Sequence, residues 1–467
     1  MSRVLPPPDR FDLSVEVLVI GAGAAGMVAA LRLADAGTEA MVLERDPRPA
    51  GSTAMSSGFI PAPGTRTQKA AGVTDSAEAF AADIARKSHG TGDARLGALA
   101  ACSIGPVLDW LAEVHGLEWE LLTDFLYPGH SAHRMHAVPE RTGAALLARL
   151  GAAVEAAGVP VVTDAHVTAL YADGQRVVAA EVTRPDGRVE RIGCAALVLA
   201  SSGYGGNPEL VARHVPAMAA APYYGHPGNR GDALLWGQAL GGAVQDLSGC
   251  QGHGSLAHPH GVLITWALMA EGGIQVNADG RRFADEHRGY SEQALDVLDQ
   301  PDGIAWDIFD DRLLALARGF PDFRAAEAAG AVLSGASVVE LARVTGLPMA
   351  ALAETLALCA ACAQGQATDP LGRNFTTRPA LTPPFHAVRV TGALFHTQGG
   401  LLIGDDARVF TADGTPLPNL FAAGGAAAGV SGPDPDGYLS GNGLLTAVAF
   451  GSLAGQGASR LGAARRS

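Results

Sequence analysis

Val15-Glu-Val-Leu-Val-Ile20 runs into Gly21-Ala-Gly-Ala-Ala-Gly26, then into the Ala-rich stretch Met27 to Ala36, and closes at Met41-Val-Leu-Glu44. This order reads as an apolar strand, a G-x-G-x-x-G turn, a helix and a second strand ending in an acid. Gly21 permits the tight turn, Gly23 carries no side chain to hold a pyrophosphate off the backbone, and Gly26 lets helix and strand pack closely. The N–H groups and dipole at the helix start attract phosphate. Glu44 lies roughly 20 residues on, where a carboxylate accepts hydrogen bonds from ribose hydroxyls. A bare G-x-G-x-x-G is often only a Gly-rich turn. Strand before, helix after and acid in place make this one a dinucleotide-binding βαβ unit.

The 467 residues suffice for two or three domains with a large core. With 48% hydrophobic and 17% charged residues the chain is globular rather than disordered. A net charge of −14 and the lack of a Lys/Arg run argue against a nucleic-acid partner. Met1 to Arg10 has no apolar core of a secretory leader. The longest apolar run, Gly261 to Ala270, is too short to span a bilayer, so no membrane span and a cytoplasmic location are expected. Five cysteines do not make a disulfide framework. Cys359-Ala-Ala-Cys362 sits in an Ala/Leu-rich helical pattern with no second cysteine pair, and reads as helix packing rather than a redox or metal site.

Helical patterns dominate from about Ser76 to Gly158. From Val161 to Ser201 the period changes to that of strands: Val167–Ala172, Arg176–Thr183 and Arg188–Ala200, separated by the hairpin signals Asp173-Gly174 and Asp186-Gly187. The apolar end of the third strand, Ala195–Ala200, reads as a return to a parallel sheet. From Ser248 to Phe385 His, Arg and aromatic residues concentrate, followed by helices over 310–317, 338–344 and 350–363, and a Pro-rich break at 379–384. Gly399–Ile403, Leu420–Ala423 and a last helix over 443–458 then complete the nucleotide fold. The expected class is α/β: a doubly wound, Rossmann-like domain with a β-meander insertion (1–247 and 386–467) plus an α+β capping domain (248–385).

Several motifs occur in order over almost the whole chain: Gly21–Gly26, the loop Ala50-Gly-Ser-Thr-Ala-Met-Ser-Ser-Gly58, Gly231-Asp232, Val276-Asn-Ala-Asp-Gly-Arg-Arg-Phe-Ala-Asp-Glu286, His396-Thr-Gln-Gly-Gly400, Leu420-Phe-Ala-Ala-Gly424 and Gly441-Asn-Gly-Leu-Leu445. As a set they resemble the flavoproteins that include fumarate reductase, succinate dehydrogenase, tricarballylate dehydrogenase and 3-ketosteroid Δ1-dehydrogenase. The resemblance implies FAD bound along the first domain, with the capping domain closing over the flavin. It implies that Gly21, Ala22, Gly23, Ala25 and Gly26 cradle the pyrophosphate, and that Glu44 and Arg45 lie at the ribose. Ser52, Thr53, Ser56, Ser57 and Gly58 would line the ribityl and flavin edge, and Val167 would meet the adenine through its backbone. Asp232 and Gly424 complete the cofactor set. Asn442, Leu444 and Leu445 would turn a helix N-terminus toward the flavin pyrimidine, where it stabilises negative charge on the reduced ring. No metal is implied. Succinate dehydrogenases attach flavin through a His that would fall at Ser52, so the FAD here is non-covalent. Many relatives have Glu where this chain has Gly425, so one flavin contact is missing or replaced.

What faces the flavin divides that family. Fumarate reductases grip a substrate carboxylate with an Arg where this chain has Tyr438. The chain also has Tyr290 four residues after Glu286, as ketosteroid dehydrogenases do. There the counterpart of Tyr290 abstracts a proton and that of Tyr438 hydrogen-bonds the substrate carbonyl; Tyr127 resembles a third aromatic that assists the base. This residue set suits desaturation next to a ketone. The α proton becomes acidic only as the enolate oxygen gains hydrogen bonds, and Tyr438 with a backbone N–H near Gly441 would supply them, about 2.7–4 kcal/mol each by analogy with oxyanion holes. A Tyr base starts from a pKa of about 10 and must be acidified or driven by a good acceptor. His253 and His396 match the two carboxylate-binding histidines of fumarate reductase. Together with the tyrosines they suggest a substrate with both ketone and carboxylate, such as 4-oxocyclohexanecarboxylate; a 3-ketosteroid is the larger option. The rival is a fumarate reductase- or tricarballylate dehydrogenase-type enzyme acting on a di- or tricarboxylate. Arg312 stands near the catalytic Arg of fumarate reductases, but its spacing does not match. The expected partners are a small cyclic ketone or oxo acid and an external electron acceptor, O2, a quinone or a dye-like carrier.

Overall fold

A computed structural model of the chain describes residues 3–466, with side chains up to Leu461. It divides into two compact units: residues up to Pro216 with Gly225–Cys250 and His396 onward, and Ala217–Tyr224 with Gln251–Phe395.

The first unit is built on a nine-stranded sheet. Its parallel centre is formed by Leu13–Ile20, flanked by Ala40–Leu43 on one side and Val189–Leu199 on the other. Val17, Leu18, Val19, Val42, Leu197, Val198 and Leu199 are each at most 1% exposed, which is why these strands read as continuous apolar runs. The meander is present as His166–Asp173, Arg176–Thr183 and Val189–Leu199, antiparallel in sequence. Val189–Leu199 then forks. Its first half pairs with Arg176–Thr183, while Leu197–Leu199 pairs in parallel with Leu420–Ala422. Asn419 closes the fork: its Nδ2 donates to the Val177 and Ala195 carbonyls (2.7 and 2.8 Å) and its Oδ1 accepts from Val177 N–H (3.0 Å).

The helix Ala24–Asp35 follows the Gly-rich turn, and the last helix, Asn442–Arg466, packs along it. It starts one residue before the expected position and runs further. Gly451 and Gly455 make the approach close: a Cβ at either would lie 2.5 Å from the carbonyl of Ala25 or Ala29. Within the region expected to be helical, Glu120–Leu121 and Met135–Ala137 interrupt the helices and form a small sheet with Ile60–Pro61, which precedes that region. Ala94–His115 is one described helix long and apolar enough to cross a membrane by length and composition. Its Leu96, Ala100, Ile104, Leu108 and Leu111 are buried.

The second unit is a six-stranded sheet carrying helices on both faces. Ile304–Asp310 lies antiparallel to both Ile274–Val276 and the long strand Phe385–Thr397. Alternation along the strands separates two cores. Ala305, Phe309, Val388 and Val390 pack with the helices Asp311–Ala317 and Pro321–Ala328. Ile308, Ile274, Val276 and Ala387 pack with Val338–Thr345 and Met349–Ala363. Cys359 and Cys362 belong to this second core, and burial pushes the Cys359 thiol up to about 12.

Candidate functional site

At the fingerprint, glycine is demanded by packing at two of the three positions. A Cβ at Gly21 (φ +106°) would lie 2.4 Å from the Ala200 carbonyl, and one at Gly26 would lie 1.9 Å from the Gly21 carbonyl. Gly23 differs: a Cβ there would meet only Thr53 Oγ1, at 3.4 Å, so the face over this turn is clear of protein. Thr53 Oγ1 accepts from Ala24 N–H (3.0 Å) at the helix start. Glu44 is tied to the same turn, its Oε2 accepting from Ala22 N–H (3.0 Å) and its Oε1 from Asp46 N–H (3.1 Å). Arg45 donates to the Gly228 carbonyl (2.8 Å), Ser52 Oγ accepts from Asn229 Nδ2 (2.9 Å), and Asp232 begins the helix Asp232–Ala239. Val167 is buried opposite Val182, two residues before those registered with Arg3–Leu5.

Ser56 Oγ donates to the Thr53 carbonyl (2.7 Å) and accepts from Gly58 N–H (3.1 Å), so it closes its own turn; Ser57 is exposed. At the last helix, the N–H groups of Asn442, Gly443 and Leu445 meet Leu439 O, Tyr438 Oη and Gly441 O (3.0, 3.4 and 2.9 Å). This end therefore offers a ligand its dipole and the Leu444 side, rather than a row of open N–H groups. Gly425 has a physical reason to lack a side chain: a Cβ would stand 2.8 Å from the Gly203 nitrogen. Ala25 and Gly424 are neighbours, a Gly424 Cβ falling 3.3 Å from Ala25 Cβ. The residues present fit a bound FAD: the clear face over Gly23 suits a pyrophosphate, and Asn442 Oδ1 and Ser201 Oγ are buried with no protein partner.

Tyr438 lies just before the last helix. Its phenol oxygen accepts from Gly443 N–H (3.4 Å), and its ring meets His396 edge-on at 5.6 Å. Burial lowers His396 to about 4, so the ring is neutral at pH 7. Tyr127 packs against Phe59, Leu122, Met135 and Ala137. Burial, then the neighbouring Tyr438 phenol, pushes its pKa well above the usual range, so Tyr127 keeps its proton. Gly441 has φ +88° and a Cβ there would lie 2.6 Å from Pro61.

Beneath this turn is a network that spacing in the sequence does not announce. Arg134, 1% exposed, pairs with Asp75 (2.8 Å) and with Asp83, and donates to His130 Nδ1 (3.2 Å); His130 Nε2 donates to the Ser440 carbonyl (3.0 Å). Burial lowers His130 to about 4 and Arg134 adds to it, so His130 is a neutral strut.

In the second unit His253 stacks between Tyr290 (5.0 Å) and Phe395 (5.2 Å), with Trp266 edge-on at 5.7 Å. Burial lowers His253 to about 3, and its Nδ1 accepts from Ser255 N–H (3.1 Å), which leaves the proton on Nε2. Tyr290 is the first residue of the helix Tyr290–Leu298. Behind it Glu286 is fully buried between Arg282 and Arg373 (2.6 and 2.9 Å); burial would raise it, but the two guanidinium groups hold it at about 2. Asp307, absent from the sequence reading, is fully buried beside Gln275 (2.7 Å), and burial lifts it to about 7 against the hydrogen bonds of Gln275 and Ser255. Arg312 is exposed and donates to the Glu271 carbonyl (3.0 Å), and Arg288 is half-exposed beside Asp296.

The profile of the FAD binding domain family matches residues 16–444. A probable fumarate reductase of Shewanella frigidimarina is 29% identical over 448 residues, 96% of this chain and 75% of that protein. The 4-oxocyclohex-2-ene-1-carboxylate 5-dehydrogenase of Sinomonas cyclohexanicum is 24% identical over 97% of this chain and 95% of its own length. Among solved structures, the open conformation of a flavocytochrome c3 fumarate reductase superposes with a TM-score of 0.82 (29% identity, 97% of this chain, 79% of that one). The 3-ketosteroid-Δ4-(5α)-dehydrogenase of Rhodococcus jostii RHA1 superposes with 0.77 (25% identity, 98% and 99%).

Proposed function

This chain belongs to the FAD binding domain family, an FAD-dependent oxidoreductase acting on carbon–carbon bonds, and from that premise we propose that it desaturates the α,β bond of a cyclic ketone that also carries a carboxylate. The observation that carries the reading is the phenol of Tyr438 fixed on the Gly443 N–H at the start of the last helix, where fumarate reductases carry a guanidinium. A phenol donates one hydrogen bond to a ketone oxygen and follows it to the enolate without bringing a formal charge. Tyr290 takes the α proton; as the first residue of its helix it sits at the positive end of a dipole, which favours a phenolate by about 0.3–1 kcal/mol. His253 and His396 act as neutral donors to ligand oxygens, since burial keeps both uncharged. Tyr127, protonated, supports Tyr438. Bound FAD supplies the acceptor for the hydride from the β carbon.

The Sinomonas relative is named for 4-oxocyclohex-2-ene-1-carboxylate, and the saturated parent of that enone, 4-oxocyclohexanecarboxylate, is the first substrate to test. Mixed anaerobically with the holoenzyme, it should bleach the visible flavin band, while the corresponding alcohol should not. Tyr290→Phe should keep FAD and lose turnover by about 10²–10⁴-fold. Bleaching by no cyclic ketone, with fumarate or a tricarboxylate turned over instead, would establish the second reading, which the higher identity to a fumarate reductase favours.

A further inference from the structure

Four polar side chains of the first unit form a chain that ends on His396 and whose middle members, Ser431 and Gln398, take no direct part in the proposed desaturation. Asn442 Nδ2 donates to Ser431 Oγ (2.9 Å), Ser431 Oγ donates to Gln398 Oε1 (2.9 Å), and Gln398 Nε2 donates to His396 Nδ1 (2.8 Å). Ser431 and Asn442 are fully buried and Gln398 is 5% exposed. The chain has a direction. Ser431 accepts from Asn442, so its single proton goes to Gln398, whose amide then turns its NH2 toward the imidazole. A ring nitrogen that accepts an N–H bond carries no proton of its own. The Thr397 carbonyl, 3.2 Å from the same Nδ1, pulls the other way, over a longer distance.

His396 Nε2 faces the start of the last helix. A Cβ at Gly443 would lie 2.7 Å from Nε2 and 3.7 Å from Tyr438 Oη, so the missing side chain leaves a space that both groups border. Tyr438 is the titratable group whose ring faces His396. We propose that Gln398 is a positioning residue: it fixes His396 as an Nε2–H donor beside Tyr438, so that this end of the site selects a ligand with an acceptor oxygen, a ketone or a carboxylate. The selection half rests on the reading of His396 as a ligand-facing residue; the tautomer half does not. Because burial already keeps the ring neutral, the tautomer decides whether it offers a donor or an acceptor.

The experiment uses FAD-loaded protein with ¹⁵N-labelled histidine and no ligand, the His396 signals assigned with His396→Gln. The proton should couple to Nε2 in the native protein at pH 7. Gln398→Glu places an acceptor at Nδ1, so the ring should carry both protons at neutral pH. Binding of 4-oxocyclohexanecarboxylate, followed by the flavin spectrum, should then change about tenfold per pH unit across the new titration. Gln398→Met, of similar volume, should mix the two tautomers and weaken binding at every pH. A native proton on Nδ1 means that the chain runs in the opposite sense and overturns the inference. So does a His396 titration in Gln398→Glu identical to the native one. Absence of flavin bleaching with a proton on Nε2 sinks the desaturase reading and leaves the tautomer assignment standing.

Discussion

Replacing Arg134 by Met tests whether the turn before the last helix is held electrostatically from below. The native side chain is fully buried, stacks over Phe80 at 4.6 Å, and is shared between two carboxylates that are themselves 1% exposed, Asp75 and Asp83. Burial alone would raise Asp83, but Arg134, Ser131 and Arg86 outweigh it and hold that acid at about 2. Methionine matches the volume and removes the charge, leaving Asp83 to Arg86 and Ser131, and Asp75 to the neutral donors Gln68 and Ser76. Breaking a buried pair in this way costs about 3–5 kcal/mol. The pH dependence has a definite sign. A carboxylate depressed in the folded state stabilises above its unfolded pKa of about 3.9 and loses that contribution as pH falls toward 2. In Arg134→Met the largest of the contacts that lower Asp83 is gone and burial weighs more heavily on it, so the penalty should be full at pH 7 and shrink by pH 4.5. Urea unfolding of the FAD-loaded proteins at both pH values measures it. A loss under about 1 kcal/mol, or an equal loss at both, would refute the argument. The strut should fail as well: without Arg134 the His130 hold on Ser440 loosens, and affinity for a ketone ligand should fall beyond what unfolding explains.

Two more outcomes follow from groups described above. Asp307 is raised to about 7 in the folded state, so native stability declines as pH climbs from about 4 through 7; Asp307→Asn should remove that decline and gain on the order of 1–3 kcal/mol at pH 8, read by urea unfolding at pH 5 and 8. Gly26→Ala drives a methyl carbon to within 1.9 Å of the Gly21 carbonyl and should yield protein purified with less than about a tenth of its FAD, whereas Gly23→Ala, with only Thr53 nearby, should fold normally and lose cofactor affinity alone.

The parts that were legible in the sequence share a local cause. The βαβ unit is announced by period, glycine spacing and one acid, all within 30 residues. The meander is announced by two Asp-Gly steps, whose Gly174 and Gly187 adopt positive φ. The C-x-x-C was readable as packing because the surrounding Ala and Leu residues keep a helical period. What stayed hidden depends on distant pairing. Arg134 meets Asp75 and Asp83 across some fifty residues, His130 meets Ser440 across 310, and Asn419 meets Val177 across 242; none leaves a periodic trace. The strand Phe385–Thr397 was masked by its polar members, His386, Arg389 and His396. Among the expected cofactor residues, Ser56 closes its own turn and the N–H groups of Asn442, Gly443 and Leu445 are taken, because a Gly-rich motif does not say which of its donors the protein itself consumes.

The glycine-lined seam along which Asn442–Arg466 lies on Ala24–Asp35 has a consequence for how the chain is made. The flank of Ala24–Asp35 is covered by an element that follows it in the chain by some four hundred residues. Until then Ala25, Ala29 and the stem of Arg32 lack part of their native cover, so a chain that has not yet made its last helix presents an incompletely covered stripe. Completion of the dinucleotide fold is thus gated by synthesis of a helix some four hundred residues further along the chain.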